Sequence, residues 1–108
     1  MRKGAEFEEL ALRYLESVGY KVIAKNFHCR WGEIDLIALD GGTVVFVEVK
    51  GGKSKEFGDP AERVDKKKLT RMLACIERYL SIHPTEDYRI DVVVVRGNLV
   101  EHIKGVEL

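Results

Sequence analysis

Apolar and polar positions along the chain follow two different periods. Phe7, Leu10, Ala11, Tyr14, Leu15 and Val18 recur at helical spacing, and Gly19 supplies a stop, which predicts a helix over residues 4–19. Asp65 can cap a second helix running to His83–Pro84, with Leu69, Met72, Leu73, Ile76, Tyr79 and Leu80 as its apolar stripe. The remaining apolar runs read as strands. Tyr20 to Lys25 is a short one, Gly32 to Gly51 reads as two strands joined at a turn, and Tyr88 to Arg96 is strongly apolar. Leu99 to Ile103 then returns across Gly97–Asn98 as an edge strand. The predicted order is helix, three strands, helix, two strands, an α/β fold.

The double strand from Gly32 to Gly51 carries the chemistry. Its turn is Asp40-Gly41-Gly42-Thr43, and a Gly-Gly pair is a favoured two-residue hairpin loop. If Asp40 faces Thr43, then Asp35 faces Glu48 and Glu33 faces Lys50. Side chains alternate along a strand, so these four share one face at the end away from the turn. Two carboxylates about 5 Å apart at Cβ repel each other, and a divalent cation would relieve them. The rest of the hairpin is apolar on both faces. Ile34, Leu36, Ala38, Val45, Val47 and Val49 form one face, and Ile37, Leu39, Val44 and Phe46 the other. Such a hairpin belongs at the centre of a sheet covered on both sides.

Glu8 is the one acid of the first helix placed to join that site. With the stripe centred near Phe7 and Val18, Glu8 sits about 90° off centre, on the shoulder. Glu9 points away and Glu6 lies on the other shoulder; both read as solvent-exposed acids of the first turn.

Charge adds a partner. The net charge of zero argues against bulk non-specific binding to nucleic acid. Yet from Lys50 to Arg71 there are eight Lys/Arg against four Asp/Glu. Lys66, Lys67 and Lys68 oppose the dipole of the second helix, a placement that makes sense if lysines and backbone amides jointly face phosphate. A solvated charged face accounts equally well for the charge pattern alone. Residues 51–64 have the Gly/Pro content of a long loop lying over the mouth of the site.

Other residues invite blander readings. Arg30 suits a phosphate contact or an acid partner equally. Trp31, the single tryptophan, reads as a packing anchor ahead of a base-stacking platform. His28 stands alone and reads as a surface or packing residue. Cys29 and Cys75 lack any CxxC or Cys/His cluster and read as buried or free thiols rather than a disulfide or zinc site. Asp91, inside an apolar run, reads as a structural partner. At 108 residues the chain is expected to be a single domain, 1–108, with no membrane span and no signal-peptide core, and so cytoplasmic.

Asp35, Glu48-Val49-Lys50 and the element order resemble the PD-(D/E)XK nuclease superfamily, with Ile34 where its naming proline would stand. Arg2-Lys3-Gly4-Ala5 with Glu8 is similar to archaeal Holliday-junction resolvases. Over nearly the whole chain, Gly32 to Ala38, Phe46 to Lys50, Phe57-Gly58 with Pro60, and Val64 with Lys68 resemble the uncharacterised bacterial YraN-like family. The resemblance implies a restriction-endonuclease-like α-β-β-β-α-β-β core, a mixed central sheet with helices packed on its faces. It implies Asp35, Glu48 and Glu8 as ligands of Mg²⁺ (or Mn²⁺), Lys50 as catalytic lysine and Glu33 as a supporting acid.

The expected function is therefore metal-dependent hydrolysis of phosphodiesters in structured or branched DNA, with Arg30, Lys53, Lys66, Lys67 and Lys68 on the nucleic acid. Cutting both strands at once would require a homodimer. The alternatives are a nucleic-acid-binding module of the same fold with little or no turnover, and an interaction domain whose acids pair with Arg30, Lys50 and Lys53.

Overall fold

The computed structural model describes residues 5–52 and 66–107. Its elements are α1 (Ala5–Ser17), β1 (Lys21–Cys29), β2 (Gly32–Asp40), β3 (Thr43–Gly52), α2 (Lys66–Ile82), β4 (Tyr88–Arg96) and β5 (Leu99–Ile103). This is the expected α/β order. The five strands lie side by side in sequence order, β1-β2-β3-β4-β5, with β3 and β4 parallel and every other pair antiparallel. β3 is thus the central strand and β5 an edge, as its neighbours' apolar faces require. The expected loop at 51–64 and the Asp65 cap lie outside the described residues, apart from Gly51 and Gly52, which extend β3.

Each helix covers one face of the sheet. Leu36, Ala38, Val45, Val47, Val49, Val93 and Val95 pack under α1, whose Ala11 and Leu15 are fully buried. Ile34, Ile37, Phe46 and Ile90 pack against Leu69, Met72, Cys75, Ile76 and Tyr79 of α2. The α1 stripe differs from the expected one. Leu10 and Val18 are exposed, and the packed face centres between Ala11 and Leu15. At about 100° per residue, Glu8 then lies some 40° from that centre, on the packing face rather than its shoulder. Glu6 and Glu9 are exposed as expected, Glu9 pairing with Arg13 at 3.2 Å.

β1 is longer than the expected Tyr20–Lys25, because Asn26, Phe27 and His28 continue the ladder to Cys29 and leave only Arg30 and Trp31 as the turn. Its alternation breaks at Asn26, which has φ of 51°, a left-handed conformation that asparagine tolerates better than most residues. The paired positions Lys25↔Leu36 and Phe27↔Ile34 flank this point, and no ladder pair joins Asn26 to Asp35. Both strands change phase together there. Ala24 and Phe27, three apart, pack on the α2 side, and so do Ile34 and Ile37. Ile34 therefore lies on the opposite face from the one that simple alternation assigns.

Two further expectations are overturned. Cys29 and Cys75 form a disulfide, with Cα atoms 5.4 Å apart, that joins the end of β1 to α2; a separation of 46 residues conceals such a pairing. Trp31 is 59% exposed at the hairpin tip and belongs to neither core cluster. Asp91 is the structural partner expected. It is fully buried and accepts hydrogen bonds from Tyr20 Oη (3.2 Å), Arg89 Nε (3.0 Å) and the Gly105 amide (3.1 Å), with His102 Nε2 at 2.7 Å.

Candidate metal centre

The β2–β3 hairpin turns where Gly41 adopts φ of 61°, which glycine reaches without strain. From there the expected register holds, Asp40↔Thr43 through Leu36↔Val47. It stops one residue short of the acids. The Asp35 carboxylate accepts the backbone amide of Val49 at 2.8 Å, so a side chain takes the place of a ladder bond. Asp35 does not face Glu48 in the ladder, nor Glu33 Lys50; the strands part where the acids begin.

That parting gathers carboxylates from two layers. Oxygens of Glu8, Glu33 and Asp35 lie within 4.8 Å of one another. Glu8 is held by Asn26, whose Nδ2 donates to Glu8 Oε1 at 2.9 Å, so the kinked residue of β1 aims the acid of α1. Glu8 comes this close because Phe7 packs on the backbone of Gly51; a Cβ there would fall 2.2 Å from the Phe7 ring. Neither Asn26 nor Gly51 is marked by its sequence neighbours as a site residue.

Glu48 stands beside Asp35 on the α2 side, 3% exposed, and pairs with Lys68 Nζ at 2.5 Å. Its Oε2 is buried with no hydrogen-bond donor among the described residues. Burial and the charge of Asp35 push the Glu48 carboxyl up to about 8, against the pull of Lys68. Burial likewise raises Asp35, although the Val49 amide and Lys68 oppose it. For Lys68, burial favours the neutral amine, but the Glu48 carboxylate outweighs it and the net shift is upward. The site therefore concentrates more negative charge than the protein settles comfortably.

Lys50, two residues beyond Glu48 in an unbroken β3–β4 ladder, projects from the same face and is half-buried. Lys66 and Lys67 are exposed at the start of α2, whereas Lys68 turns to Glu48. Arg30 lies over the Trp31 ring at the β1–β2 tip, 4.9 Å from its centroid. Lys53 lies outside the described residues. The structure thus brings Glu8, Glu33 and Asp35 together with Glu48 adjacent, giving Glu33 a position as close as that of Glu8.

Hard cations bind oxygen ligands at about 2.0–2.6 Å, so two ligands of one ion lie at most about 5 Å apart. The Glu8, Glu33 and Asp35 oxygens meet that limit, and the donor set is all carboxylate, as Mg²⁺ or Mn²⁺ prefers. Glu48, adjacent to Asp35, adds a further buried carboxylate oxygen beside this set.

Residues 7–95 match the model of the uncharacterised protein family UPF0102. A UPF0102 protein of Sulfurihydrogenibium sp. (strain YO3AOP1) is 41% identical over 106 residues, covering 96% of this chain and 92% of its own. One from Kosmotoga olearia is 43% identical over 109 residues, covering 98% and 93%, and one from Beutenbergia cavernae 44% over 110, covering 95% and 93%. The chain belongs to the UPF0102 family.

Proposed function

We propose that the protein is a metal-dependent endonuclease that hydrolyses phosphodiesters in structured or branched DNA. The observation that carries this reading is the convergence of Glu8, Glu33 and Asp35 within 4.8 Å at the open end of a sheet, beside buried Glu48. Carboxylates packed this way cost stability, and a protein retains that cost where the group works. Glu8, Glu33 and Asp35, with Glu48 adjacent, would hold Mg²⁺ or Mn²⁺, which supplies a Lewis acid and an acidified water to phosphodiester chemistry. Lys50, on the face of Glu48, positions the attacking water and offsets charge gathering on the phosphate oxygens. Lys68 restrains Glu48. Lys66 and Lys67, exposed in the first turn of α2, meet the backbone of the nucleic acid. One site per chain makes the double-strand cutter a homodimer, and a cytoplasmic location is the reading that goes with a cellular DNA substrate. No described helix is long and apolar enough to cross a membrane.

The test is a panel of branched, flapped, duplex and single-stranded substrates incubated with and without Mn²⁺. Wild-type protein should cut at least one, and Lys50→Ala should bind it and leave it whole. A second reading, a binding module with little turnover, draws on the Lys68–Glu48 pair, which partly satisfies Glu48 without a metal. Binding without any cleavage across the panel would select it.

A further inference from the structure

Beyond the acids, the β1–β2 tip and α2 enclose a second concave surface. A cavity of about 220 Å³ is lined by His28, Cys29, Arg30, Trp31, Ala74 and Arg78. It is smaller than the roughly 300 Å³ at which sites for drug-sized ligands begin, which suits a single planar ring better than a whole cofactor. Arg71, Ala74, Cys75 and Arg78 follow helical spacing toward the tip, and an added Cβ on Gly32 would meet Arg71 Cβ at 3.9 Å. Arg30, Arg71, Trp31 and Arg78 are all exposed. Arg30 holds one side of the indole and the ring stays 59% exposed. Large exposed aromatics framed by guanidinium groups are the composition of a platform for nucleobases, where stacking supplies affinity and the cations take the phosphates.

The cavity is connected to the acids. His28 lines it and also pairs with Glu33 Oε2 at 3.5 Å. The Cys29–Cys75 disulfide fixes the tip against α2, so the groove is held in register with the carboxylates. We propose that Trp31, with Arg30 and Arg78, forms a subsite for an unpaired nucleotide, stacking its base on the indole and holding its phosphate between the guanidinium groups. This rests on the reading of the acidic site as one that acts on nucleic acid, and narrows the substrate to strands carrying unpaired bases.

The experiment uses the full chain in EDTA, so that binding is separated from cleavage. Its single tryptophan is titrated by fluorescence with a single-stranded oligothymidylate, a blunt duplex and an abasic strand of equal length. The same labelled strands are followed by anisotropy with Trp31→Ala, Trp31→Phe and Arg78→Ala. The thymidylate should quench Trp31 to saturation. Trp31→Ala should weaken its binding by roughly fivefold or more, the loss expected for one stacked base, and leave the abasic strand unaffected. Trp31→Phe should recover part of that loss, and Arg78→Ala should lower the salt slope by about one. Equal quenching by the abasic strand, or unchanged thymidylate affinity in Trp31→Ala, would overturn the subsite. If those results accompany Mn²⁺-dependent cleavage, the nuclease reading survives alone. If no strand binds at all, the subsite falls, and the cleavage panel with Mn²⁺ decides the nuclease reading by itself.

Discussion

Phe7 of α1 lies directly on the backbone of Gly51 in β3, leaving no room for a side chain: a Cβ on Gly51 would sit 2.2 Å from the ring. Glu8 is the next residue, so this contact sets how deeply an acid of the helix enters the sheet's end. Gly51→Ala should destabilise the protein by about 1–3 kcal/mol, the usual cost of overpacking. It should also weaken Mn²⁺ binding by lifting Glu8 away from Asp35. Denaturant unfolding and calorimetry together check this. The double variant Phe7→Ala/Gly51→Ala should recover much of the stability, and independent, additive effects would remove the steric explanation.

Asp35 and Glu48 sit buried side by side, offset by Lys68 and, at Asp35, by the Val49 amide. Asp35→Asn keeps an oxygen for the Val49 amide while removing one charge. The metal-free variant should therefore be more stable than wild type by about 1 kcal/mol, and should have lost its Mn²⁺ affinity. A variant less stable than wild type without metal would show that the carboxylates are not in conflict.

Asp91 supplies the pH dependence that belongs to the scaffold. Burial alone would raise its carboxyl, but Arg89, His102 and the Gly105 amide hold it below the ordinary value. A depressed folded-state value stabilises the fold fully above the ordinary 3.8 and is lost as pH falls through the folded value. Urea unfolding from pH 7 down to 2 should show wild-type stability declining below about pH 4. Asp91→Asn should be less stable at pH 7 by on the order of 3 kcal/mol, with a shallower acid limb. Parallel acid limbs in the two proteins would assign the decline to other carboxylates.

The Cys29–Cys75 bond closes a separation of 46 residues. A loop of that size is worth about 4 kcal/mol in the chain-entropy account. Reduced protein, or Cys75→Ser, should unfold at correspondingly lower denaturant, while oxidised wild type should keep its midpoint in the absence of reductant. A midpoint unmoved by reductant would mean that β1 and α2 are fixed by their apolar contacts alone.

Legibility in the sequence followed how local each cause was. The Asp40–Thr43 turn, the register up to Leu36↔Val47 and the central place of β3 came from glycine positions and short-range alternation, which act within a few residues. The expected opposition of Asp35 and Glu48 located the acids but missed their geometry, because the Val49 amide bonds a side chain instead of continuing the ladder. The phase change at Asn26 is invisible to alternation counting, since a left-handed asparagine leaves no pattern of its own. Lys68 read as a phosphate contact because its spacing says nothing of which residue it meets across the α2–β3 interface. The disulfide, the Phe7–Gly51 contact and the exposure of Trp31 all depend on elements far apart in the chain.

The Cys29–Cys75 link also makes a covalent ring of the backbone between them, and that ring contains Asp35, Glu48, Lys50 and Lys68. A single peptide-bond cut anywhere between residues 30 and 74 would open the ring without dividing the oxidised molecule. Glu8, on α1, lies outside the ring, so a cut between α1 and β1 would release it from every other acid of the site. The chain thus treats its two sources of carboxylate differently, keeping those of the strands on one covalent piece and entrusting that of the helix to packing and the Asn26 hydrogen bond.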